Sequence, residues 1–350
     1  MFILRKKKIF PKGKGSSIMA SGFQCECHGF FGGIIDGKEL KSYKLFEAGT
    51  NRDGWFTNDD LVAQLADLIP LMKSLHPECD ILVAFDNYMT HHKRAPDGLE
   101  VHDFLPLKDN GKNAPLMRNT SFVNAVGETI EQTMMTAQGK QKGIKTILSE
   151  RGLWDNRMRL ECHACMNKIP LNKRRDYYVD DFGEPLYDDD HMMFTDSCCA
   201  RGCLRRQPDF AAQKEWLREV LEKAGLLVIY YPKYHCEFNF IELTWGYIKS
   251  WLCRNCTFNY ADLKEKVTRL LEPGGIETER VQNFARFCFR FMDGYRKGLT
   301  GPILDYTLKK CKSHRCIPDS LVAQVMGPDG AFAKYQENKL PNGKRLAPRK

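Results

Sequence analysis

No apolar run in the chain reaches the roughly 18 residues that a bilayer-spanning helix needs, so a membrane span is not expected. The opening Met1-Phe2-Ile3-Leu4-Arg5-Lys6-Lys7-Lys8 is basic, but no apolar stretch follows it, so it does not read as a secretory signal. From Met1 to Phe10 there is no acidic residue at all. Acid is also the scarcer sign overall: 44 Asp and Glu stand against 53 Lys and Arg, a net charge of +9. Part of the basic excess lies at the ends, Arg5 to Lys8 and Lys344, Arg345, Arg349 and Lys350. Such runs suit a polyanionic partner, and equally a solvated tail. Cysteine, by contrast, is plentiful at 14 residues. Scattered through a long chain rich in Lys, Asp and Glu, these thiols read as reduced, some of them metal-bound, rather than as a disulfide framework. With 350 residues, 43% of them hydrophobic, the chain can bury one large core or two modest ones.

Residues 11–60 read as β structure. Ser17 to Phe23 is a short strand and Gly29 to Gly33 a glycine-rich bend. Ile34-Ile35 is a second apolar run, and Asn51-Arg52-Asp53-Gly54 a turn. Asn58 or Asp59 can cap a helix running through Leu61, Leu65, Leu68, Ile69 and Met72, which Pro77 ends. Residues 100–205 are polar and loop-rich, punctuated by Pro106, Asn110-Gly111 and Pro115, and read as an insertion rather than a free-standing domain. A helix is expected around Thr146 to Leu148, with Gly152 as its stop. Asp209 to Glu222 reads as one helix, and Tyr260 to Leu271 and Glu277 to Tyr295 as two more. In the last of these, Phe284, Phe287, Phe289 and Phe291 read as core, and Arg280, Arg286, Arg290 and Arg296 as a solvated or DNA-facing edge. Beyond about Met326 the composition turns to Gly, Pro and Lys, as in disordered tails.

Two acids stand out by position. The run Asp80-Ile81-Leu82-Val83-Ala84-Phe85-Asp86-Asn87 reads as a strand buried on both faces that closes on Asp86. An Asp-Asn pair after a strand also reads as a simple turn. A second strand, Leu226 to Tyr230, leads through a loop opened by Pro232 into a helix with Ile241, Trp245, Ile248 and Leu252 on one face. Glu242 then falls in the first helical turn, just beyond the carboxyl end of a strand, where open α/β sheets place their chemistry. Asn239 and Glu242 also fit a capping box, the rival reading of that glutamate. His91 and His92 follow Asp86, and could contact a substrate phosphate or cap the next segment.

The main cysteine cluster is Cys162-His163-Ala164-Cys165 with Cys198-Cys199-Ala200-Arg201-Gly202-Cys203. Two short spacings of this kind suit a tetrahedral structural Zn²⁺, with Cys162, Cys165, Cys199 and Cys203 as ligands and Cys198 or His163 as substitutes. Unlinked thiols are the alternative. Cys253 and Cys256 read as packing thiols at a helix end, and Cys311, His314 and Cys316 give a weaker signal still.

The phrase Pro232-Lys233-Tyr234-His235-Cys236-Glu237-Phe238-Asn239-Phe240-Ile241-Glu242-Leu243-Thr244-Trp245 resembles the last-acid signature of mariner-type DDE transposases. Phe85-Asp86-Asn87 followed by His91-His92-Lys93-Arg94 is similar to their second-acid segment, and the long interval up to Glu242 is like that of a long-insert eukaryotic branch. The likeness extends over Pro11 to Ser21, Asn51 to Asn58, Cys198 to Phe210 and Phe291 to Leu299. It implies a ribonuclease-H-like α/β core, a mixed five-stranded sheet flanked by helices. That core would comprise 1–99 and 206–255, with 100–205 inserted, C-terminal helices at 256–325 and a disordered basic tail at 326–350. It implies Asp86 and Glu242 as Mg²⁺ or Mn²⁺ ligands in phosphodiester hydrolysis and strand transfer on DNA, a nuclear location and a homo-oligomer. The family's first catalytic Asp lies on a strand ahead of the Pro-Lys-Gly segment, and Met1 to Phe10 offer no acid for it. Asp36 and Asp53 sit in turn-like sequences and are not substitutes. A chain truncated at its start is therefore expected, with two outcomes open: an impaired endonuclease, or an inactive remnant that binds DNA or protein.

Overall fold

A computed structural model describes residues 17–47, 49, 51–109, 114–162, 199–257, 259–311 and 316–327. In chain order the strands and helices begin with β1 (Ile18–Gly22), β2 (Gln24–Cys25), β3 (Gly29–Phe30), β4 (Gly32–Ile35), β5 (Lys38–Lys41), β6 (Tyr43–Glu47), α1 (Asn58–Leu75) and β7 (Leu82–Phe85). Then come β8 (Thr120–Val123), β9 (Thr129–Gln132), α2 (Ile144–Glu150), α3 (Ala200–Arg205), α4 (Pro208–Ala211), α5 (Trp216–Lys223) and β10 (Leu227–Tyr230). The chain closes with α6 (Phe240–Asn255), α7 (Tyr260–Leu271), α8 (Thr278–Arg296), α9 (Gly301–Lys310) and α10 (Asp319–Met326). It is a mixed α/β protein that divides into two compact units, 1–91 with 220–350, and 92–219. The expected tail at 326–350 lies almost wholly outside the described residues.

The first unit is built from small sheets. β1 pairs antiparallel with β6, β2 with β3, and β4 with β5, while β7 and β10 pair in parallel. The expected five-stranded sheet is therefore not continuous among the described residues. Nor is β7 buried on both faces: Val83 and Phe85 are buried but Leu82 is half-exposed, because β10 is its only strand partner among those residues. Asp36, with φ 49°, and Gly37, with φ 76°, make the tight turn between β4 and β5, a backbone conformation suited to Asp-Gly. Helix α1 is capped by Thr57 rather than by Asn58 or Asp59. The Thr57 hydroxyl accepts from the Asp60 amide, and Asp60 accepts from the Thr57 amide at 2.8 Å. Its buried Leu61, Leu65, Leu68 and Met72 follow the spacing of one helical stripe. Phe30, Tyr43, Ile248, Leu271 and Val281 form a core against which Ile241, Trp245 and Leu252 of α6 pack, as the spacing of that helix predicts. In α8 the division of labour differs from expectation. Arg290 is buried and Phe289 is partly exposed, while Arg280 lies over the Tyr247 ring at 4.6 Å.

The second unit has a core of its own around Leu105, Met134, Ile144, Ile147, Leu148, Leu204 and Phe210. Helix α2 ends as expected, with Gly152 at φ 69° just beyond it. The single helix expected over Asp209 to Glu222 is two, α4 starting at Pro208 and α5 at Trp216. Arg151 is fully buried and forks onto Asp209 with bonds of 2.8 and 2.7 Å, its guanidinium lying over the rings of Phe122 and Phe210.

Candidate functional site

Strands β7 and β10 run side by side without offset, Leu82 opposite Leu227 and Phe85 opposite Tyr230. The Tyr231 amide donates to the Phe85 carbonyl at 2.8 Å, carrying the pairing one step further. Both strands thus release their chains at the same edge, and Asp86 is the first residue beyond β7. The chain leaving β10 turns through Tyr234, whose φ of 68° is unusual for a large side chain, and a short 3-10 turn at Cys236–Phe238. That loop is pinned from α8. The His235 ring stacks on Phe238, both rings meet Tyr295 edge-on, and Glu237 accepts from the Tyr295 hydroxyl at 3.0 Å and sits 2.8 Å from His235 Nδ1. Burial works against the Glu237 charge, but these partners outweigh it and hold its carboxyl below the usual range.

Helix α6 then starts, and Glu242 occupies its first turn. Asn239 stands at the N-cap position without a side-chain capping bond, so the rival capping box does not form. Glu242 is exposed, and its carboxylate makes no hydrogen bond or ion pair with the described residues, while its amide donates to the Asn239 carbonyl at 3.1 Å.

Asp86 and Glu242 line one cavity of about 420 Å³, and they are the only carboxylates in its described wall. The rest of the wall comes from Ala20 to Cys25, from Ile81 to Phe85, and from His91, Tyr231 and Trp245 among others. Alternate residues of a strand point to opposite faces, so lining by consecutive residues of β1 and β7 means that backbone edges, not sheet faces, border the space. Gln24 adds an unmet donor: its Oε1 accepts from the Thr244 hydroxyl at 2.8 Å, but its buried amide nitrogen has no partner among the described residues. Burial pushes the Tyr231 phenol up to about 12, keeping it neutral.

His91 does not act as a mere cap. Its Nδ1 stands 2.7 Å from Asp86 Oδ1 and 3.0 Å from the Asp86 carbonyl. Burial alone would lower the imidazole pKa, yet the bonds and charge of Asp86 prevail and raise it above the ordinary value. His92 is separate from this pair and meets Glu215 at 3.3 Å. Neither Asp36 nor Asp53 reaches the cavity wall, and the Asp53 carboxylate accepts from the Glu47 amide at 2.7 Å.

Two other groups of possible metal ligands complete the survey. Of the four expected Zn²⁺ ligands, Cys165 lies outside the described residues, as do the substitutes Cys198 and His163. Cys162, Cys199 and Cys203 are buried, but their sulfurs do not gather into a three-ligand group. Cys199 caps α3, its sulfur accepting from the Gly202 amide at 3.3 Å, and Cys203 packs in the apolar core. The one group of three or more such ligands among the described residues is Cys25, His28 and His76, with ligand atoms within 4.8 Å of one another. Sequence reading missed it, because Cys25-x-x-His28 is unremarkable by itself and His76 lies some fifty residues further on. Asp86 and Glu242 do not converge with a third ligand in this way. Compared with family models, curated proteins and solved structures, the chain matches none.

Proposed function

We propose that the first unit is a DDE-type domain of ribonuclease-H-like descent that acts on DNA phosphodiesters. What carries the reading is one juxtaposition: Asp86 and Glu242, distant in sequence, line a single cavity at the carboxyl edge of two parallel strands. Both acids leave at least one oxygen available, since the Glu242 carboxylate has no partner among the described residues and His91 Nδ1 engages a single oxygen of Asp86. Two carboxylates with water and phosphate oxygens suit one Mg²⁺ or Mn²⁺. Such a cation would supply charge stabilisation to a phosphate under in-line attack. The residues themselves would do the positioning. His91 orients Asp86, the loop pinned by Tyr295 sets the entry of Glu242, and Gln24 offers its amide nitrogen to a bound oxygen.

A second reading is favoured by a specific observation: only two carboxylates line the cavity among the described residues. A two-cation site needs more, so the domain would then be an inactive relative that binds DNA or protein. The resemblance assigns the missing acid to a further strand.

Incubating the full chain with duplex DNA and Mg²⁺ or Mn²⁺ separates these readings. Metal-dependent nicking that Asp86→Ala and Glu242→Ala each abolish supports the first. DNA retention on gels without nicking supports the second. Nicking indifferent to both substitutions removes these residues from the site, and a chain that neither nicks nor binds DNA overturns both DNA readings.

A further inference from the structure

Independently of any activity on DNA, a second group of side chains has the chemistry of a metal centre. Strands β2 and β3 pair with Cys25 opposite Gly29, leaving Glu26, Cys27 and His28 as a three-residue turn. Gly29, at φ 68°, allows the chain to fold back that tightly. The turn sets Cys25 Sγ 3.4 Å from His28 Nδ1. From another part of the fold, His76 closes the carboxyl end of α1, and its ring meets that of His28 with centroids 5.0 Å apart.

We infer that Cys25, His28 and His76 bind one Zn²⁺, which ties the β2–β3 turn to the carboxyl end of α1. The donor set is the first support. One thiolate and two imidazoles are borderline-soft ligands that select Zn²⁺ over Mg²⁺ or Ca²⁺. Distances are the second. Around a tetrahedral zinc, sulfur and nitrogen ligands stand about 3.3–3.6 Å apart. The Cys25–His28 pair already has that spacing, and the whole group lies within 4.8 Å, a gap that modest side-chain rotation closes. The third support is the setting. His76 sits where the helix presents its negative end, which favours a cation. The fourth position falls to solvent or to Cys79, which is exposed and whose amide N–H donates to the His76 carbonyl at 3.2 Å.

The zinc would be structural. Cys25 and His76 both belong to the wall of the cavity that holds Asp86 and Glu242, so fixing them together fixes that wall. The proposal stands or falls apart from the DNA reading, because its readouts involve no nucleic acid. Full-length protein equilibrated with Zn²⁺ and desalted is expected to retain an equivalent of zinc that Cys25→Ser and His76→Gln each remove. Loss of a direct ligand should weaken binding by more than the roughly 10- to 100-fold seen when only a ligand's hydrogen-bond partner is lost. Cys162→Ser keeps this equivalent, which separates the site from the other cysteine cluster.

Labelling of the parent protein avoids any variant that fails to fold. Iodoacetamide modification of Cys25, read by peptide mass spectrometry, should slow at least about tenfold with Zn²⁺ and recover with chelator, because a metal-held thiolate is a poor nucleophile. Zinc retention unchanged by Cys25→Ser, or Cys25 labelling equally fast with and without Zn²⁺, would overturn the assignment.

Discussion

The core of the second unit and the cavity of the first treat charge in opposite ways. Around Phe210, the buried Arg151 spends its guanidinium on Asp209 and Gln132, and Asp209 also accepts from the Thr120 hydroxyl at 3.0 Å. The charges there are enclosed and matched. At the edge of β7 and β10, the Glu242 carboxylate is exposed without a partner among the described residues, and Gln24 keeps a buried amide nitrogen unmet. A charge that is fully paired in the interior is part of the architecture, whereas carboxylates left open on a cavity wall remain available to a ligand.

The largest expected effect is on the enclosed pair. Asp209→Ala leaves Arg151 charged, buried and short of its partner, and should cost about 3–5 kcal/mol in denaturant unfolding. A loss below about 1 kcal/mol would erase the contrast between the two regions. Acid should weaken the same contact. Burial is the strongest single influence on the Asp209 carboxyl and raises its pKa, but Arg151, Thr120 and the Phe210 amide together bring it below the ordinary value. The resulting stability is fully present above the unfolded pKa of about 3.9 and is lost as pH falls through the lower folded value. Unfolding followed at descending pH should show a steeper decline in the parent than in Asp209→Asn, the other lowered carboxylates contributing to both.

Next in size is Leu148→Ala in the same core, where a fully buried side chain is truncated. It should cost about 2–5 kcal/mol by thermal or chemical unfolding. Thr57→Ala removes one arm of the capping box that begins α1 and should cost about 1 kcal/mol, with Thr57→Ser restoring most of it. Smallest of all is Glu242→Gln, expected to change stability by less than about 0.5 kcal/mol. The same substitution should depress Mg²⁺ or Mn²⁺ binding by calorimetry. A large loss of stability from Glu242→Gln would make that glutamate architectural after all.

The parts legible in the sequence were those governed by local pattern. The 3.6-residue spacing of Ile241, Trp245, Ile248 and Leu252 gave α6 its packed face, and the apolar runs around Val83 and Val228 gave two strands. The two acids beyond those strands were singled out by position together with the resemblance, and both line one cavity. Where competing partners were chemically alike, the reading slipped. Thr57, Asn58 and Asp59 can all cap a helix, and only the reciprocal bonds with Asp60 decide. The pattern of α8 did not reveal that Arg290 turns inward and Phe289 outward, since that depends on what lies against each face. The helix over Asp209 to Glu222 was drawn too long because Pro208 and the capping around Phe210 close a short turn before Trp216 opens another. Cys25, His28 and His76 lay beyond local pattern altogether, since only the fold carries the end of α1 to the β2–β3 turn.

The zero-offset pairing of β7 with β10 has a consequence for which changes in chain length the protein can absorb. Lengthening a flexible connection costs little, since each doubling of a loop adds only about 0.6 kcal/mol. Exposed loops within residues 92–219 could therefore lengthen at little cost, whereas the elements packed around Leu148 and Phe210 could not. One residue added inside Leu227–Tyr230 is a different matter. It would turn Val228 outward and Ile229 inward, and advance everything after Tyr230 by a step of about 3.3 Å. Loop length between these strands can change at little cost, and one residue more within either strand reverses its faces.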